Sequence, residues 1–127
     1  CVPTVVYANP QLAWCGLTER EADEQKREIK VARFPWTASG RALTQGVRRG
    51  LTKLIVDPES GRLLGMGIVG PGAENMIAEG ALAIEMGALA QDVALTMHPH
   101  PTLSETEQES AEAFLGMSTH ILSKSSR

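Results

Sequence analysis

His100 and Glu105 stand at the two ends of the segment His-Pro-Thr-Leu-Ser-Glu. Histidine is the side chain whose ordinary pKa, about 6.5, lies nearest neutrality. A carboxylate within hydrogen-bond reach holds one ring nitrogen protonated and leaves the other free to take a proton. Such a pair is an oriented general base. On one continuous helix the partners would stand three or four residues apart, so the wider spacing here requires a break. Pro101 supplies it, because it has no N–H and biases His100 towards extended backbone. His100 then lies in a loop, and Glu105 falls in the first turn of the helix that follows. Glu105 also has a second occupation open to it. Thr102 and Glu105 form a T-x-x-E capping box, while Ser104 and Glu107 form a competing one that would release Glu105 to His100. Spacing alone leaves both open.

His98-Pro99-His100 raises the question of a metal ion. Two ligands do not make a site, and no cysteine, carboxylate or third histidine has the spacing of a structural zinc site. No metal is expected, and His98 reads as a structural or supporting residue. His120 reads as an ordinary surface or partly buried histidine. Cys1 and Cys15 have no C-x-x-C spacing, which suits two unpaired thiols in a reducing compartment. Gly65, Gly67, Gly70 and Gly72 are scattered, and no G-x-G-x-x-G opens a helix after a strand. Gly65 and Gly67 read instead as places of close packing or a bulge.

These side chains must be held by the elements around them. Residues 2–8 are β-branched and aromatic and read as a strand, broken at Asn9-Pro10, with residues 12–17 continuing in extended form. Thr18-Glu19-Arg20-Glu21 is a capping box opening a polar surface helix to Arg27. Residues 29–36 read as a strand, followed by a turn or short helix near residues 39–46. Residues 51–56 and 63–69 flank Asp57-Pro58-Glu59-Ser60-Gly61, the signal of a β-hairpin. Residues 73–87 form a helix that is apolar nearly all round, so it is expected to be buried in the core or against a partner. Its Ala78, Gly80, Ala81 and Ala83 allow another element to come close. Residues 91–97 form a short helical or irregular link. A last helix is expected over about residues 104–122, with Ala111, Phe114, Met117 and Ile121 at core spacing. Trp14 and Trp36 read as packing residues. The pattern is an α+β fold: an antiparallel β-sheet with helices packed on one face, in one domain over residues 1–127.

An apolar content of 43% supports a core, and 4% aromatics means that aliphatic and methionine side chains must fill it. A net charge of −3 with mixed signs leaves no nucleic-acid footprint. No apolar run reaches the roughly 20 residues of a membrane helix, and no signal peptide is visible.

The segment His100-Pro101-Thr102-Leu103-Ser104-Glu105 resembles the C-terminal active-site motif of the flavin-dependent pyridine nucleotide-disulfide oxidoreductases, specifically their dihydrolipoamide dehydrogenase branch. Residues 7–18 (YANPQLAWCGLT), 34–43 (FPWTASGRAL), 51–58 (LTKLIVDP) and 80–97 (GALAIEMGALAQDVALTM) look like consecutive segments of the same last domain, in the same order. The resemblance covers nearly the whole chain. Glutathione reductase-like relatives carry a small polar residue in place of Leu103 and an acidic one in place of Thr106, and mercuric reductases end in a cysteine pair. This chain has neither feature.

The resemblance implies a C-terminal dimerisation domain whose FAD and NAD domains are absent, so no activity is expected of the isolated chain. It implies a homodimer in which the loop of His100 and Pro101 faces the partner subunit's FAD and redox disulfide. His100 would deprotonate dihydrolipoamide, Glu105 would orient its ring, and Pro101 would hold the loop. FAD and NAD would be cofactors of the full-length parent, and lipoyl groups of 2-oxo acid dehydrogenase complexes its partners. The compartment would be the bacterial cytoplasm or the mitochondrial matrix. The same domain of a glutathione or mercuric reductase-like flavoprotein, and a non-catalytic dimerisation module, are the competing readings.

Overall fold

A computed structural model of the protein describes residues 1–117, in which five strands form one antiparallel sheet. The strands are β1 (Thr4–Val6), β2 (Leu12–Gly16), β3 (Lys30–Pro35), β4 (Leu51–Val56) and β5 (Leu63–Val69), in the spatial order β1-β2-β5-β4-β3. The predicted hairpin is β4–β5, and it supplies the central strand β5 and its neighbour β4. Its turn is tied by the Asp57 carboxylate, which accepts from the backbone N–H of Glu59 and Ser60 at 3.1 and 2.9 Å.

Side chains alternate across a sheet, so register decides which residues share a face. Ala13, Ile68, Thr52 and Phe34 form one row, and Cys15, Met66, Leu54 and Ala32 the next. All eight are buried. The helices α3 (Ala73–Glu85) and α5 (Glu105–Leu115) pack on this face, and α4 (Ala90–Leu95) packs against α5. Gly80 on α3 lets Met66 of β5 come close, since a Cβ there would stand 2.5 Å from the Met66 sulfur. The opposite face carries Trp14, Lys53 and Arg33. Over it reaches α1 (Glu19–Glu24), opened by the Thr18–Glu21 capping box. Its Glu19 accepts from Lys53 at 2.7 Å and from Arg33 at 2.9 Å. Between Trp36, which heads a single 3-10 turn (Trp36–Ala38), and β4 stands the short helix α2 (Gly40–Thr44).

Of the two burials open to the helix over residues 73–87, the core of the chain accounts for one side only. The sheet takes only its Ala73, Ile77 and Gly80 side, while Leu82 and Met86 are exposed. Several expectations are corrected. The last helix stops at Leu115 rather than running to residue 122, because Gly116 adopts a left-handed φ of 72° that ends it. Met117 is therefore exposed and not in the core. Ile121 and His120 lie outside the described residues. Close packing holds at Gly65, where a Cβ would stand 2.0 Å from the Leu17 carbonyl oxygen, beside a register shift between Ile55 and Val56. It does not hold at Gly67, whose nearest neighbour would be Lys53 Cε at 3.7 Å. No helix of the described residues is long and apolar enough to cross a membrane.

Candidate functional site

The loop between α4 and α5 carries the histidine motif, and its geometry answers the competition that spacing left open. Glu105 bonds His100 and makes one half of the Thr102 box, while Ser104 rather than Thr102 is the N-cap of α5. Glu105 Oε1 stands 2.9 Å from His100 Nδ1, and its Oε2 accepts from the Thr102 N–H at 2.8 Å. The competing box does not form: Ser104 caps α5 with no side-chain bond, and Glu107 turns into the interior. The His100–Pro101 peptide bond is cis. Thr102 closes the turn by donating from Oγ1 to the Pro99 carbonyl at 2.7 Å. The His100 side chain is 79% exposed, whereas that of Glu105 is 27% exposed, so the ring is presented outwards from a carboxylate that is itself held. A cleft of about 210 Å³ opens beside the pair, with Phe34, Ala38, Leu43 and Thr106 among its walls.

A buried chain of hydrogen bonds fastens this loop to the sheet. Trp36 Nε1–H donates to Thr52 Oγ1 at 2.9 Å. Thr106 Oγ1 donates to the Leu103 carbonyl at 2.7 Å, so the Thr52 hydroxyl is the donor in its 2.7 Å bond to Thr106 Oγ1. Ser110 Oγ donates to the Thr106 carbonyl at 2.8 Å. Thr52, Thr106 and Ser110 are fully buried, and every one of these polar groups is paired. Sequence reasoning missed the chain. The available signal was a polar residue at a core-facing position of a strand and of a helix.

It also missed a second cluster, at His98. This ring is nearly buried, with Nε2 2.7 Å from Glu79 Oε1 and Nδ1 2.9 Å from the Thr96 carbonyl. The Glu79 carboxylate raises the His98 pKa, and the same hydrogen bond lowers that of Glu79. Glu107 joins them from α5, so two carboxylates distant in sequence accompany His98. The donor atoms of Glu79, His98 and Glu107 all lie within 4.8 Å of one another. The 2.7 Å contact is a hydrogen-bond distance. A tetrahedral zinc would hold two such ligand atoms about 3.3 Å apart. Glu107 is fully buried and no N–H donor reaches either of its oxygens; burial, then the charge of Glu79 and the hydrogen bond shared with it, push its pKa up to about 9. Cys1 and Cys15 are both free thiols, and burial pushes the Cys15 pKa up to about 11.

Known proteins share this architecture. Residues 2–111 match the family model of the pyridine nucleotide-disulphide oxidoreductase dimerisation domain. A dihydrolipoyl dehydrogenase of Thermus scotoductus is 52% identical over 123 residues, covering 97% of this chain and 27% of that protein. One from Halobacterium salinarum is 50% identical, covering 97% of this chain and 26% of its own length. Among solved structures, LpdA from Mycobacterium tuberculosis superimposes with a TM-score of 0.85 at 24% identity, over 89% of this chain and 25% of that one, a likeness of fold. The HOCl-induced flavoprotein disulfide reductase RclA from Escherichia coli, solved as a Cu(II) complex, gives 0.82 at 29% identity, over 87% of this chain and 25% of that one. The chain thus spans about a quarter of the length of these relatives. With a five-stranded antiparallel sheet, its covering helices and a family match over most of its length, this chain belongs to the dimerisation-domain family of the pyridine nucleotide-disulphide oxidoreductases.

Proposed function

We propose that residues 1–127 are the C-terminal dimerisation domain of a dihydrolipoyl dehydrogenase, and that His100 and Glu105 are its acid–base pair. The observation that carries this reading is the 2.9 Å contact between His100 Nδ1 and Glu105 Oε1, on a loop that presents the ring to solvent. The chemistry calls for such a pair. A thiolate, not a thiol, attacks a disulfide, and a thiol of ordinary pKa about 8.5 is mostly protonated at neutral pH. His100 accepts the proton of a dihydrolipoyl thiol, and Glu105, hydrogen-bonded at Nδ1, fixes the tautomer and offsets the charge that the ring gains. Pro101 and the Thr102 turn hold the ring in place.

FAD and NAD⁺, the electron acceptors of the reaction, belong in this reading to other domains of the parent. The homodimer is supported by Leu82, Met86, Leu95 and Met97, large apolar side chains exposed on α3, α4 and the loop after it. Lipoyl groups of 2-oxo acid dehydrogenase complexes are the proposed partners, in the cytoplasm or mitochondrial matrix. A flavoprotein disulfide reductase with another thiol substrate is the second reading, favoured by the likeness to RclA. Assays of the complete protein on dihydrolipoamide and on glutathione disulfide separate the two.

The test of the site is His100→Gln in the complete flavoprotein. Thiol-linked turnover should fall by about 10²–10⁴, the usual contribution of a positioned acid–base group. FAD content, the dimer, and NADH oxidation by an artificial electron acceptor should persist. Near-normal thiol turnover would refute the acid–base role and leave a non-catalytic dimerisation module.

A further inference from the structure

Beneath the His100 loop lies a buried acid that this chemistry does not use. Glu107 follows Glu105 by two residues on α5, is fully buried, receives no N–H donor at either oxygen, and has the Glu79 carboxylate as its hydrogen-bonding neighbour. An ionised carboxylate in such a place is strongly unfavourable unless a charge answers it. The groups that face it come from three elements. Glu79 comes from α3, His98 from the loop, and Cys15 from β2 as a neutral thiol. His98 supplies one positive charge. Glu79, 2.7 Å from His98 Nε2, is the carboxylate that this charge holds ionised. Of two close carboxyls, the one without water or a cation is the one that keeps its proton, so Glu107, fully buried beside a part-exposed Glu79, is left neutral, with an O–H to donate.

We propose that Glu107, as a neutral acid donating towards Glu79, is a positioning residue for His100, clamping Glu79 onto His98 and so tying the loop to α3 and α5 together. This rests on His100 being the acid–base residue. The mechanical path is short. Pro99 is the only residue between His98 and His100, and Pro101 follows, so displacement at His98 is carried to the His100 ring through a stiff segment. Glu105 and Glu107 ride on the same first turn of α5, so the clamp and the catalytic pair share their supports. A misplacement of about 1 Å at a reacting group lowers a rate by up to 10²-fold.

The test compares Glu107→Leu, Glu107→Gln and His98→Gln in the complete flavoprotein, with FAD content and melting temperature checked. Leucine preserves the volume and removes the donor, while glutamine keeps a donor. Glu107→Leu should lower kcat for dihydrolipoamide about tenfold, displace the limbs of its pH profile, and leave KM and NADH oxidation by ferricyanide near the parent's. His98→Gln should reproduce that loss, and Glu107→Gln should recover most of the rate. A Glu107→Leu enzyme with the parent's kcat and pH profile overturns the inference, as does a Glu107→Gln enzyme as impaired as the leucine variant. His100→Gln run alongside distinguishes the two claims. Retained thiol turnover there removes the acid–base assignment itself, whereas its loss beside a fully active Glu107→Leu removes only the positioning role.

Discussion

Replacing Glu107 by glutamine should stabilise the protein by an amount that grows with pH. The folded carboxyl is pushed from 4.5 up to about 9, chiefly by burial. Between those values the unfolded chain has released this proton and the folded chain has kept it, so unfolding releases a proton and stability falls as pH rises. Each pH unit in that window removes about 1.4 kcal/mol. Taken from 4.5 to pH 7, the loss is about 3 kcal/mol, with a ceiling of about 6 kcal/mol once pH exceeds the folded value. Glutamine does not ionise, so the variant escapes the loss while keeping size and polarity. That is a large change against a total stability of about 5–15 kcal/mol. Urea unfolding of parent and variant at pH 5, 6, 7 and 8 reads it, since titrating groups not coupled to Glu107 cancel in the difference. The gap should widen by about 1.4 kcal/mol per unit. A gap that stays flat across this range would show that Glu107 is not held neutral, and the account of the His98 cluster would fail with it.

Three further outcomes are expected. Gly65→Ala drives a Cβ to 2.0 Å from the Leu17 carbonyl and should cost about 3 kcal/mol in urea unfolding, whereas Gly67→Ala, 3.7 Å from its nearest neighbour, should change stability by less than about 1 kcal/mol. Equal effects at the two positions would contradict the packing argument. Thr52→Val preserves shape but leaves Trp36 Nε1–H without its acceptor and Thr106 without its donor. It should cost about 2 kcal/mol by thermal unfolding, and a neutral result would mean the buried chain contributes nothing. Cys15, with its pKa up to about 11 and its side chain enclosed, should resist alkylation at pH 8 until the protein unfolds; mass mapping of early Cys15 modification would refute its burial.

How much of this was legible in the chain depends on the distance over which each feature is decided. The β4–β5 hairpin, the Thr18–Glu21 capping box and the break after His100 are local events. Backbone preference and hydrogen bonds within a few residues govern them, and the structure contains each where the sequence places it. The end of α5 was also written locally, in Gly116, but the apolar period running past it drew the expected helix on to residue 122. The side of α3 that the core leaves exposed was undecided in the sequence for another reason. Apolar residues all round a helix require burial somewhere, and the chain by itself supplies only one packed side.

By itself the sequence determined the strands, the main helix starts and the candidacy of His100 and Glu105 as partners, because all of these lie within one turn or one loop. Tertiary structure alone decided the strand order, the Trp36–Thr52–Thr106–Leu103 chain and the convergence of Glu79, His98 and Glu107. No local rule connects Thr52 to a residue 54 positions away, or His98 to one 19 positions away. Only the packing of α3 and α5 on a shared sheet face brings such groups together. It also excludes water from Glu107, and that exclusion pushes the pKa of its carboxyl up.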